Sequence, residues 1–145
     1  MELIEDLFNH HVSQGSIVSF NETIYTNLED VEKNIKNELT SSSKVVHFDE
    51  TGIYIDKKTQ WLHVASNEKL TYYEVHEKRG KKAVNAIGIL PSFIGTAVLD
   101  CYKTYFTYTN CKHGICNAHI LRELNAVTEL HNQNCGQPMK ELKRL

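Results

Sequence analysis

Residues Lys44 to Ile55, Lys-Val-Val-His-Phe-Asp-Glu-Thr-Gly-Ile-Tyr-Ile, constrain this chain more than any other stretch. Val45, Val46, Phe48, Ile53, Tyr54 and Ile55 are β-branched or aromatic, which predicts a strand, and Gly52 allows a bend or bulge within it. Two adjacent acids, Asp49 and Glu50, interrupt that apolar run. An unpaired carboxylate cannot be buried cheaply. Neighbours on an extended strand point to opposite faces, so only one of the two can look into a given site. The acids either meet water at a strand end or serve chemistry.

A second strand-end acid favours chemistry. Gly95 to Tyr102, Gly-Thr-Ala-Val-Leu-Asp-Cys-Tyr, reads as a short apolar strand with Asp100 at its C-terminal end. Acids at the ends of neighbouring buried strands can hold Mg²⁺ or Mn²⁺, because hard cations need oxygen ligands on a rigid scaffold.

The rest of the pattern supplies a scaffold. Leu3, Ile4, Leu7 and Phe8 make a short amphipathic helix, and a turn-like stretch from His10 to Ser16 follows. A helix is expected from about Ile17 through Leu39, ended by Ser41-Ser42-Ser43. After the first strand, Lys57-Lys58-Thr59 should turn the chain into a second strand over 60–67, and Asn67-Glu68 into a third over 69–76. Ala83, Val84, Ala86, Ile87 and Leu90 predict a helix over 81–90, stopped by Pro91. The strand bearing Asp100 comes next. Tyr102 to Tyr108 reads as a short helix or irregular, Lys112 to Ala118 as a fifth strand, and Ile120 to Leu130 as an amphipathic helix ended by Gly136 and Pro138. Met139 to Leu145 looks like the start of one more helix.

Three strands with tight turns predict an antiparallel meander, and the helix before the fourth predicts a crossover onto the same sheet. That is an α/β, ribonuclease-H-like layout with a mixed sheet, in which the first and fourth strands lie side by side and Asp49 meets Asp100.

Size and charge narrow the classes. With 145 residues the chain can build one core. A net charge of −2 does not advertise nucleic-acid binding, although Lys78, Arg79, Lys81 and Lys82 cluster, as do Lys140, Lys143 and Arg144. No stretch approaches the ~20 apolar residues of a membrane span. Glu2, Glu5 and Asp6 stand where a secretory signal would be basic. Four cysteines without such a signal fit a reducing compartment, and the expected location is cytoplasmic.

Cys111, His113, Cys116 and His119 form Cys-x-His-x-x-Cys-x-x-His, a spacing able to hold tetrahedral Zn²⁺. It lacks the paired Cys-x-x-Cys knuckles of common zinc modules, and a strand through 112–118 sends His113 and Cys116 to opposite faces. Zinc is therefore not expected. A small apolar Cys116 and a hydrogen-bonded His119 fit better.

Taken in order, several motifs resemble one family. His-Phe-Asp-Glu-Thr-Gly (47–52), Trp-Leu-His-Val (61–64), Tyr-Tyr-Glu-Val-His (72–76) with Arg79-Gly80, Leu-Asp-Cys-Tyr (99–102) and Cys-Asn-Ala-His-Ile-Leu-Arg-Glu-Leu (116–124) are similar to transposases of the insertion sequence 66 family, of the DDE class. Val-Ser-Gln-Gly-Ser-Ile (12–17) resembles the segment upstream of their catalytic domain. The resemblance runs from about residue 7 to 131. It implies a catalytic core that holds Mg²⁺ or Mn²⁺ between two aspartates and a glutamate, with Asp49 and Asp100 as the first two, and cleaves and joins transposon DNA. DNA, both transposon ends and target, is the implied partner, with self-association or pairing with a full-length transposase beside it. Arg79, Lys81, His119 and Arg122 are the candidate DNA contacts, and Glu50 should face away as a structural residue.

The family's glutamate lies beyond a helical insertion that follows Cys-Asn-Ala-His. The implied organisation is a helical segment over 1–43, a partial core over 44–131 and the start of the insertion over 132–145. Glu123 and Glu129 match other family positions, so the piece is expected to be inactive alone and to leave one sheet face uncovered. Two other readings stay open: a non-catalytic regulator that binds DNA or transposase, and a small zinc-binding module.

Overall fold

The computed structural model describes residues 2–131. The helix expected at 139–145, the basic cluster of Lys140, Lys143 and Arg144, the helix-ending Gly136 and Pro138, and Cys135 lie outside them. The chain divides into two compact units, Met1–Ile35 and Lys36–Leu145.

The first unit is helical. Helix α1 covers Glu2–Phe8 and α2 covers Gln14–Ser41, crossing the division between the units. Helix α2 begins three residues before the expected start because Ser13 caps it: its Oγ accepts from the Ser16 backbone N–H at 3.0 Å. It also absorbs Ser41, which the sequence places in a linker. His10 and His11 are exposed.

The second unit is built on a five-stranded sheet. Its strands are β1 (Val45–Ile55), β2 (Lys58–Ser66), β3 (Thr71–His76), β4 (Thr96–Leu99) and β5 (Lys112–Ile115). The spatial order is β3-β2-β1-β4-β5. Strands β1, β2 and β3 form the antiparallel meander, and β4 and β5 join parallel to β1 and to each other. This is the ribonuclease-H-like mixed sheet that the pattern of elements implies.

Two turns differ from expectation. The β1–β2 hairpin turns at Asp56 and Lys57, both with positive φ (49° and 61°), and Ile55 already pairs with Lys58. A two-residue turn with both φ values positive matches the twist of the flanking strands, but it carries no glycine to announce it. The predicted helix over 81–90 is two helices, α3 (Lys81–Ile87) and α4 (Ile89–Ser92). Gly88 breaks it by adopting φ +78°, and its N–H bonds Val84 O at 3.0 Å. Pro91 sits inside the first turn of α4, where a missing N–H costs nothing. Helix α5 runs from Asn117 to His131, and β5 ends at Ile115 rather than Ala118.

Strand β1 alternates strictly through its first six residues. Val46, Phe48 and Glu50 are buried; Val45, His47 and Asp49 are exposed. The buried face packs against α3, α4 and the segment after them, through Val84, Ile87, Leu90 and Phe93. Phe48 meets Phe93 edge-on at 6.0 Å. Asn110 Nδ2 donates to the carbonyls of Leu90 and Phe93, at 3.1 and 2.6 Å, and closes the end of α4. Gly95 allows β4 to enter beside this layer: a Cβ there would lie 2.5 Å from both Lys44 O and the Phe93 ring.

Candidate active site

Asp49 and Asp100 are placed by one register. Strand β1 pairs with β4 as Val45↔Thr96, Val46↔Ala97 and His47↔Val98. Partners in a parallel pair share a face, so Val46 and Ala97 are both buried while His47 and Val98 belong to the other side. Asp100 follows β4 directly and is half-buried. Its Oδ1 accepts from the Tyr102 N–H at 2.9 Å, which pins the carboxylate at the strand end. Asp49 Oδ1 accepts from the Glu50 N–H at 2.9 Å. Both carboxylates act on the buried Tyr105 phenol, whose pKa is driven up first by burial, then by its bond to Glu50 and by the charges of Asp100 and Asp49.

Glu50 occupies the opposite face from Asp49, with a fully buried side chain. Arg79, 29 residues on, donates through Nε to Glu50 Oε1 at 2.6 Å, and Tyr105 donates its hydroxyl to Oε2. The Arg79 guanidinium also stands 3.9 Å from Asp100 Oδ2. It lies over the Tyr102 ring at 4.5 Å and the Trp61 ring at 5.0 Å. Its bond to Glu50 is the main reason its pKa is raised. Sequence reasoning set Arg79 among surface cations and missed this pairing. The signal was the alternation itself: with Val46 and Phe48 inward, Glu50 is inward too, and a buried carboxylate calls for a cation.

On the open face, His47, Asp49, Val64, Val98, Cys116 and His119 line a cavity of about 300 Å³. His119 Nε2 accepts from Arg122 Nη2 at 3.2 Å and stands 3.9 Å from Asp49 Oδ1. An accepting Nε2 leaves the ring proton on Nδ1. That buried nitrogen has no partner of good hydrogen-bond geometry among the described residues. The ring still acts on the Cys116 thiol: hydrogen bonding from His119 is the chief cause that lowers its pKa. Burial pushes Cys111 up instead. The expected hydrogen-bonded His119 thus has one well-formed bond, the one its Nε2 accepts from Arg122. Lys81, at the first position of α3, and Arg122, on α5, are exposed.

A carboxylate within β1 and one just after the neighbouring β4 are the right kind of donors for a hard divalent cation. Among the described residues, no group of three or more His, Cys, Asp and Glu side chains is arranged to hold a metal, so Cys111, His113, Cys116 and His119 do not converge as a zinc set.

A ribonuclease-H-like mixed sheet, with Asp49 within β1 and Asp100 just after β4, is the layout of the DDE class of polynucleotide-processing proteins. Within that class, the family model "Transposase IS66 family" matches residues 1–145, and the chain belongs to that family. Its function is DNA transposition. No curated protein matches the chain. The solved structures similar to it include two of the HTLV-2 integrase catalytic core domain in complex with magnesium. The trimeric form is 16% identical, with a TM-score of 0.40, over 58% of this chain and 70% of that one. The dimeric form is 14% identical, with a TM-score of 0.39, over 67% and 80%. No described helix is long and apolar enough to cross a membrane.

Proposed function

We propose that Asp49 and Asp100 together hold Mg²⁺ or Mn²⁺ and form the catalytic pair with which this chain takes part in cleavage and strand transfer of transposon DNA. The observation that carries this reading is the β1–β4 register. Continued two residues beyond His47↔Val98, it brings Asp49 level with Asp100. Bound there, a divalent cation supplies Lewis acidity toward an attacking hydroxyl and the scissile phosphodiester. Asp49 and Asp100 contribute hard oxygen donors fixed to adjacent strands, held by their bonds to the backbone of Glu50 and Tyr102. Lys81 and Arg122, both exposed, offer charge to the DNA backbone, and His119 closes the site on the Asp49 side.

A calorimetric Mn²⁺ titration of this chain and of its Asp49→Asn and Asp100→Asn variants tests the reading. The expected result is binding by the unaltered chain that either substitution abolishes. Binding that survives both substitutions, or its absence from the unaltered chain, overturns the shared site.

A further inference from the structure

We infer that Arg79 is a preorganised receptor for a DNA backbone phosphate, held ready beside Asp100 by Glu50, Trp61 and Tyr102. The inference rests on the reading that this sheet edge handles DNA, and it names the residue set that orients the nucleic acid there.

Three constraints fix the guanidinium. Its Nε is committed to Glu50 at 2.6 Å, and Glu50 is itself held by the Tyr105 hydroxyl on its other oxygen. Its guanidinium carbon lies over the Tyr102 ring at 4.5 Å and over the Trp61 ring at 5.0 Å. Its place in the chain is fixed by Gly80, where a Cβ would come within 3.2 Å of the Tyr102 hydroxyl. What remains is the outer edge. Its Nη2 is ion-paired with Asp100 Oδ2 at 3.9 Å, too long for a hydrogen bond, and the side chain is 39% exposed.

An arginine that served only to neutralise Glu50 would do so with any nitrogen and would need no aromatic cover. Here the edge facing Glu50 is the Nε edge, and the outer donors stay open. Guanidinium recognises phosphate by such planar, paired donors, and holding the plane in advance removes the ordering cost of binding. The buried Glu50 balances the charge of Arg79, so the receptor acts through geometry as much as through charge. A phosphate bound there lies next to Asp100, which the proposed metal site shares. The two sites then serve one strand of DNA.

The test is duplex binding without metal. A short, fluorescently labelled DNA duplex is titrated in EDTA over a range of salt, with the anisotropy read for the unaltered chain and three variants. Arg79→Gln alone leaves Glu50 buried and unpaired and is a poor folder, so the deciding variant is Glu50→Gln with Arg79→Gln, which removes both charges. Folding is verified by a cooperative melt. The expected result is a slope of log affinity against log salt that is shallower by about 0.9, the loss of one phosphate contact. Arg79→Lys should keep the slope but bind severalfold more weakly, because a lysine is a point charge without the plane. A folded double variant with an unchanged slope overturns the inference, as does an Arg79→Lys protein with unaltered affinity. An unaltered chain that binds no duplex at low salt overturns it too. Mn²⁺ calorimetry on the same proteins keeps the two readings apart. Metal binding with an unchanged salt slope defeats the receptor alone, whereas a changed slope without metal binding defeats the carboxylate site alone.

Discussion

The two faces of β1 put alternate residues of one six-residue run to opposite purposes. Val46, Phe48 and Glu50 look into a layer sealed by α3, α4 and Phe93, whereas Val45, His47 and Asp49 look onto a face where Tyr73 and Val75 are 59% and 42% exposed. Each face carries an acid. Glu50 is completely enclosed, with a cation and a phenol on its two oxygens, and Asp49 is open enough to keep lone pairs for a ligand. The difference lies in what each carboxylate is paired with. A buried acid must have its partners inside the protein, so it is structural, while an acid left without an internal cation is available to an external one.

That contrast predicts where stability resides. Phe93 is fully buried against Phe48, so Phe93→Ala should cost about 3–5 kcal/mol in a chemical denaturation experiment. Tyr73→Thr, on the open face, should change stability by no more than about 0.5 kcal/mol. Comparable losses at the two positions would mean that the open face is packed in solution, and the distinction between the faces would fail.

A smaller effect separates the two acids. Arg79→Gln removes the cation from Glu50 and should destabilise by about 3 kcal/mol, at the low end for an unpaired buried charge because the site is partly open to water. Asp49→Asn should be close to neutral, within about 0.5 kcal/mol. Thermal melts of the two variants at one pH decide it. An Asp49→Asn protein as unstable as Arg79→Gln would assign Asp49 a structural role and weaken its place in a metal site.

These pairs also show what the sequence could and could not reveal. The alternation of β1, the strand-end position of Asp100 and the helix before β4 are local patterns, and they were enough to place Asp49 beside the fourth strand. The helix break at Gly88 was hidden because Ile87, Ile89 and Leu90 continue an apolar run that fits one helix as well as two. The turn at Asp56 and Lys57 was misplaced because neither residue marks a left-handed backbone as glycine would. The Glu50–Arg79 bond spans 29 residues, and nothing local to either side chain names the other. Nor did the motif around Cys116 and His119 announce a cavity shared with Asp49. It arises only because α5 starts where β1 and β4 expose their open face.

The smallest predicted effect tests that cavity. Cys116 and Cys111 lie five positions apart, yet the first thiol is held below its ordinary pKa by His119 and the second is raised by burial. Thiolate is the reactive form, so alkylation should reach Cys116 at a lower pH than Cys111. The rates are read peptide by peptide by mass spectrometry across a pH series. His119→Ala should move the Cys116 profile upward and leave Cys111 unchanged, because only Cys116 owes its shift to that ring. Bound Mn²⁺ should slow the modification of Cys116 by crowding the Asp49 side of the cavity, with Cys111 as the internal control. Equal profiles for the two thiols would detach His119 from Cys116. The open face would then retain Asp49 as its reactive group, without the histidine–thiol pair beside it.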